Sequence, residues 1–168
     1  MRILHSHCSY CGGRYADDAA WPRLCAGCGE TTWRNPLPVA VTLLPVDTAD
    51  GRRGVVVVRR DIEPGRGELA LPGGFIETGE TWQEAAVREL LEETGIGADP
   101  GDVRLFDVQN APRGNTLLVF GLLPARRYEE LPPMAPTEEA TEWLVATEPV
   151  RLVFPTHTVA LAAYFASA

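Results

Sequence analysis

The chain has 168 residues, 45% of them hydrophobic, and carries a formal net charge of −8. That length suits one ordinary domain plus a small appendage, with enough apolar material for a core and no compositional sign of disorder. The negative charge argues against broad electrostatic binding to nucleic acid or anionic membrane, and no apolar run approaches the roughly 18 residues of a membrane span. Arg2 is followed by His5, Ser6, His7 and Cys8 rather than by an apolar signal stretch, so a cytoplasmic protein is expected.

The first chemical feature is a pair of knuckles, Cys8-Ser-Tyr-Cys11 and Cys25-Ala-Gly-Cys28, each followed by glycine and separated by 13 residues. Four thiolates at this spacing suit tetrahedral Zn2+ better than two disulfides, which a cytoplasmic setting disfavours, or four free thiols. With Cys8, Cys11, Cys25 and Cys28 all engaged, the zinc is structural, and His5 and His7 are left as surface residues. Residues 1–35 therefore read as a small zinc ribbon, and residues 36–168 as the main domain. The ribbon has four Arg against three acids, a net of +1, which is no basic patch for nucleic acid.

Asn35-Pro36-Leu37-Pro38 reads as an extended linker. Strands are expected over 39–46 and 55–59, with a polar turn at Asp50-Gly51, and a loop at Pro64-Gly65-Arg66-Gly67. Leu71-Pro72-Gly73-Gly74 reads as a loop leading into a helix. Thr81 is its N-cap, Glu84 completes a capping box, and Gly95 stops it. Val87, Leu90 and Leu91 are its expected buried stripe. Further strands are expected over 103–108, 116–123 and 143–145, with a stiff proline loop over 131–136 and an amphipathic helix over 158–166. Phe75, Phe106, Phe120 and Trp143 read as core, with base stacking as the alternative role.

Within the first helix Glu89, Glu92 and Glu93 stand at i, i+3 and i+4 and share one face. Three crowded carboxylates need a compensating cation, and hard oxygen donors suit Mg2+ or Mn2+, which in turn hold phosphate oxygens. An ordinary solvated acidic face does not account for the glycine loop that precedes them.

The segment from Gly74 to Ile96 resembles the Nudix box, G-x5-E-x7-R-E-U-x-E-E-x-G-U with U aliphatic. Gly74, Glu80, Arg88, Glu89, Leu90, Glu92, Glu93, Gly95 and Ile96 occupy its fixed positions. The resemblance implies an α/β fold, the Nudix α/β/α sandwich with a mixed sheet, here preceded by the small four-cysteine zinc ribbon. It implies hydrolysis of a nucleoside diphosphate linked to another moiety, with Mg2+ or Mn2+ held by Glu89, Glu92, Glu93 and the backbone carbonyl near Gly73 or Gly74. Arg88 would orient the acids by pairing with Glu80. The general base is Glu89 or an acid of the later loop, with Glu138, Glu139 and Glu142 as candidates.

A ribbon ahead of a Nudix domain is similar to the NADH pyrophosphatases. Their Ser-Gln-Pro-Trp-Pro-Phe-Pro stretch is absent, however, and the region reads Asp107-Val108-Gln109-Asn110-Ala111-Pro112-Arg113-Gly114. Pro112, 16 residues beyond the box, fits the ADP-ribose pyrophosphatases, and Arg113 beside it is a candidate phosphate contact. ADP-ribose or a related NDP-sugar is the expected substrate. NADH or NAD, a nucleoside triphosphate pool, and a non-enzymatic nucleotide sensor are the alternatives. A homodimer is the partner that the resemblance suggests.

Overall fold

The computed structural model describes residues 5–167 of the chain, which forms two compact units, Met1–Pro36 and Leu37–Ala168. In the first, β1 (Arg23–Leu24) pairs antiparallel with β2 (Thr31–Thr32). Cys8, Tyr15 and Cys25 are its buried apolar cluster, with Ala19 packed against them. Tyr15 Oη donates to Thr32 Oγ1 at 2.6 Å, and the Arg23 guanidinium lies 4.6 Å from the Trp21 ring centroid. So small a cluster supplies little burial energy, which leaves the thiols to hold the unit together.

The second unit runs β3 (Leu37–Leu43), β4 (Pro45–Asp47), β5 (Arg53–Arg60), β6 (Leu69–Ala70), β7 (Gly73–Phe75), α1 (Trp82–Thr94), β8 (Arg104–Asn110), β9 (Thr116–Leu122), β10 (Arg126–Arg127), β11 (Ala140–Ala146) and α2 (Pro155–Ser167). One sheet has the order β7-β3-β9-β8; the other has β10-β4-β5-β11, with β6 also pairing with β5. Both are mixed, since β3 runs parallel to β9 and β10 parallel to β4 while the other pairings are antiparallel.

Strand alternation explains the layering. Val56 and Val58 face a core that holds Ala85, Ala86 and Leu90 of α1, whereas Val55 and Val57 face one that holds Ala160, Leu161 and Tyr164 of α2. Four consecutive valines thus serve two faces, as a strand covered on both sides requires. The result is the expected α/β/α sandwich.

Several boundaries differ from the sequence reading. The linker ends earlier, because β3 begins at Leu37 and includes Pro38 opposite Leu117; a proline is tolerated near a strand's start. The strand expected over 39–46 divides at Leu44, whose carbonyl accepts from Val56 N–H at 3.0 Å and so joins the two sheets. The expected loop at Gly73-Gly74 pairs with Ala40 and Val41 as β7. Residues 143–145 are the middle of seven-residue β11, and α2 starts at Pro155, whose fixed φ suits a first helical turn.

Helix α1 has the expected ends. Thr81 Oγ1 accepts from Glu84 N–H, the Glu84 carboxylate accepts from Thr81 N–H, and Gly95 closes the helix at φ 73°. Its buried face holds Leu90 as expected, with Val87 partly buried against the same core, but not Leu91. Ala85, Ala86, Leu90, Glu93 and Thr94 are buried, and Leu91 is 51% exposed. The two small alanines let the helix approach β3 closely enough for Thr42 Oγ1 to donate to the Ala86 carbonyl at 2.8 Å. Glu93, seven residues beyond Ala86, lies on the same inward face.

Candidate active site and metal centres

The acidic face of α1 meets the β7 turn. Arg88 lies at the centre of the charges. Its Nε and Nη2 donate to the two Glu80 oxygens at 3.1 and 2.7 Å, a bidentate pair. Nη1 donates to Glu89 at 2.7 Å and to Glu92 at 3.1 Å, and Nη2 also reaches the Phe75 carbonyl at 3.0 Å. The Arg88 guanidinium holds the Glu80 carboxyl below its usual range, helped by the Glu77 amide, while the same pairing raises Arg88. Arg88 therefore fixes three carboxylates and the β7 backbone at once.

The acids differ in depth. Glu92 is half-exposed, with 57% of its side chain accessible, whereas Glu93 is only 3% exposed. Gly73 N–H donates to Glu93 Oε2 at 3.1 Å. Burial, reinforced by the charges of Glu89 and Glu139, pushes the Glu93 carboxyl up to about 8. Burial also raises Glu89, against the opposing pull of Arg88. A cation bound beside them would relieve both carboxylates, as a proton on Glu93 does in its absence.

Gly74 explains how Glu89 fits. A Cβ on Gly74 would lie 2.5 Å from the Glu89 carboxyl carbon, so any larger residue there forces that carboxylate to move. Hard oxygen donors from Glu89, Glu92, Glu93 and the Gly73–Gly74 backbone fit Mg2+ or Mn2+ in type and charge. Their carboxylates do not converge on one point: among the described residues, only the four thiols form a set of three or more ligand atoms within 4.8 Å of one another. Glu92 is drawn aside by Arg88.

The later loop contributes unequally. Glu139 directly precedes β11, and its charge acts on both Glu89 and Glu93. Glu142 is instead bound to Arg59 at 2.6 Å, and Glu138 is exposed. Pro112 and Arg113 sit exposed at the turn between β8 and β9, and among the described residues no hydrogen bond or ion pair joins Arg113 to the acidic cluster. Phe120 and Trp143 are core residues, and Phe106 is partly buried. Phe75 is 57% exposed beside the site.

Arg60 was not a candidate from sequence. It is 8% exposed at the end of β5, and its charge opposes the upward push on Glu93. A second Arg at a strand end carries no sequence signal of its depth.

The four cysteines are free thiols whose Sγ atoms cluster, with Cys8 and Cys28 3.8 Å apart and Cys11 and Cys25 3.6 Å apart. Amide N–H groups of Tyr10 and Gly13 donate to Cys8 and Cys11 Sγ at 3.4 Å. The Cys11 backbone and other donors lower Cys8 to about 6. Cys28 is pulled down by the Glu30 amide but pushed up to about 12 by burial and its three thiol neighbours. Four thiolates cannot share this volume without a cation, and the sulfur set suits Zn2+. His5 and His7 are exposed and stand outside the cluster.

A family model described as a NUDIX domain matches residues 36–163. An ADP-ribose pyrophosphatase of Methanocaldococcus jannaschii is 52% identical over 73 residues, which are 41% of this chain and 42% of that protein. The NAD-capped RNA hydrolase NudC of Escherichia coli is 29% identical over 93 residues, 55% of this chain and 34% of that protein. The matches thus span less than half the length of these two curated relatives. The crystal structure of a NUDIX hydrolase from Nitrosomonas europaea superposes with a TM-score of 0.74 at 24% identity, over 96% of this chain and 91% of that one. At that identity the likeness speaks for the fold.

Proposed function

This chain belongs to the Nudix family, and from that premise we propose that it hydrolyses the pyrophosphate bond of a nucleoside diphosphate linked to a second moiety, with ADP-ribose or a related NDP-sugar as substrate. The observation that carries the reading is the buried Glu93 and the partly buried Glu89, both set against the Gly73–Gly74 strand. The 52% identity to an ADP-ribose pyrophosphatase over 73 residues supports that substrate class. The match to NudC supports NAD or NADH as the second reading.

Glu89, Glu92, Glu93 and the backbone at Gly73–Gly74 hold Mg2+ or Mn2+. When bound, the cation neutralises phosphate charge and lowers the pKa of the attacking water. Arg88 and Glu80 keep the acids in register with β7, and the Gly73 amide aims Glu93. Glu139 takes the water's proton, being the later-loop acid whose charge reaches the site and which is not committed to an arginine. Cys8, Cys11, Cys25 and Cys28 hold a structural zinc in a separate domain of residues 1–35, with residues 36–168 as the hydrolase. A cytoplasmic setting and a homodimer remain part of this reading.

The test is a panel of ADP-ribose, NADH, NDP-sugars and nucleoside triphosphates with Mg2+ and Mn2+, with products identified. AMP plus a sugar phosphate supports the proposal, and a monophosphate plus pyrophosphate redirects it to triphosphates. Glu92→Gln should fold normally and lose roughly a hundredfold or more in kcat. Near-normal turnover at saturating Mg2+ would remove Glu92 from the site.

A further inference from the structure

Arg60 is an oddity in an acidic protein. It is 8% exposed, yet among the described residues no carboxylate lies within 4.0 Å of it. Its one side-chain hydrogen bond runs from Nε to the Pro64 carbonyl at 2.9 Å, which leaves Nη1 and Nη2 without protein acceptors among those residues. Neither is a fully buried atom, so both stay open to solvent or ligand, and a guanidinium in so enclosed a place ordinarily meets a carboxylate or an anionic ligand.

The surroundings hold Arg60 firmly. The Pro64 carbonyl anchors Nε, and the Phe154 ring supports the guanidinium, with Cζ 5.2 Å from the ring centroid. Phe154 in turn packs on His157 at 4.9 Å, and His157 Nδ1 accepts from Leu71 N–H at 3.2 Å. Arg60 also lies opposite Ala140 in the ladder with β11, and the adjoining Asp61 N–H donates to the Glu139 carbonyl at 2.7 Å. The cation therefore stands beside the Glu139 segment with its terminal nitrogens free. Arg59, its neighbour on the opposite face, is already taken by Glu142.

We propose that Arg60 is an anion-binding residue of the candidate site, its free Nη edge taking a non-bridging oxygen of a substrate phosphate. The proposal rests on the pyrophosphate reading of that site and adds a contact from outside the α1 motif. Arg60 supplies fixed positive charge from β5, complementary to the cation that the α1 acids would hold. The guanidinium fork suits a phosphate oxygen pair, and lysine replaces it only in part.

The test separates anion affinity from turnover. Wild type, Arg60→Lys and Arg60→Gln are titrated calorimetrically with imidodiphosphate, a non-hydrolysable pyrophosphate analogue, in the presence of Mg2+. Saturation kinetics on whichever pyrophosphate the wild type hydrolyses, and melting temperatures, accompany them. Arg60→Gln should weaken imidodiphosphate about tenfold or more and raise KM at least as much as it lowers kcat, with Arg60→Lys recovering part of the loss. A purely structural Arg60 would lower the melting temperature in both variants without changing the affinity of the folded protein. Equal imidodiphosphate affinity in wild type and Arg60→Gln overturns the proposal. Wild-type binding that is lost in Arg60→Gln, without turnover of any substrate, supports Arg60 while sinking the hydrolase reading. No imidodiphosphate binding by wild type overturns the Arg60 proposal, while turnover of a pyrophosphate substrate by the same protein leaves the hydrolase reading standing.

Discussion

Glu93 carries the clearest consequence at the scale of single residues. Its carboxyl stands near 8 in the metal-free protein against about 4.5 when unfolded. Between those values the folded state retains a proton that the unfolded chain has lost, so the metal-free protein loses stability as pH rises through that window. The full effect is on the order of a few kcal/mol. Melting curves in chelator across pH 4 to 9 should show this decline, and Glu93→Gln should flatten it. Because a bound cation requires the carboxylate, apparent Mg2+ affinity should climb over the same interval. Gly74→Ala is a second check: a Cβ crowding Glu89 should lower kcat by roughly tenfold or more while leaving a folded protein, measured by kinetics beside a melt. The pairing of Arg88 with Glu80 was legible in the sequence, because a guanidinium beside several acids has few other places to go. The depth of Glu93 was not, since spacing fixes which residues share a face but not how far that face sinks. Arg60 escaped for a related reason: its burial depends on the Pro64 loop and Phe154, which are distant in kind from any local motif.

Among the elements, α1 was the most legible because both ends carry their own chemistry. Thr81→Ala removes the capping acceptor and should cost about 1 kcal/mol, seen as a fall of about 3 °C in melting temperature. A change no larger than experimental error would show that tertiary contacts alone hold the first turn. The face that α1 buries was legible at Leu90 and Val87 and misread at Leu91, which outweighs an alanine in any count of hydrophobicity. Packing favoured the alanines, whose small side chains admit the Thr42–Ala86 hydrogen bond. Strands β6 and β7 were missed for the opposite reason. They are two and three residues long, and the glycines that make β7 look like a loop are what allow its backbone against Ala40 and Glu89.

On the scale of the whole molecule the α/β/α class was legible through the box resemblance and the order of elements, whereas the division into two sheets at Leu44 was marked only by Pro45, a residue that a strand's start also tolerates. The unit Met1–Pro36 depends on its thiols more than on its core. Removing zinc with a strong chelator should therefore open residues 1–36 to proteolysis while residues 37–168 retain their melting transition, and elemental analysis should find one zinc per chain. The main unit behaves differently because of Val55 to Val58. One strand is the party wall of two rooms, so neither core can loosen while the other stays intact. Damage under α2, far in sequence from the acids, passes through that wall to the floor on which α1 rests. Helix α1 thus has no private stability, and it should melt with the sandwich in one cooperative step.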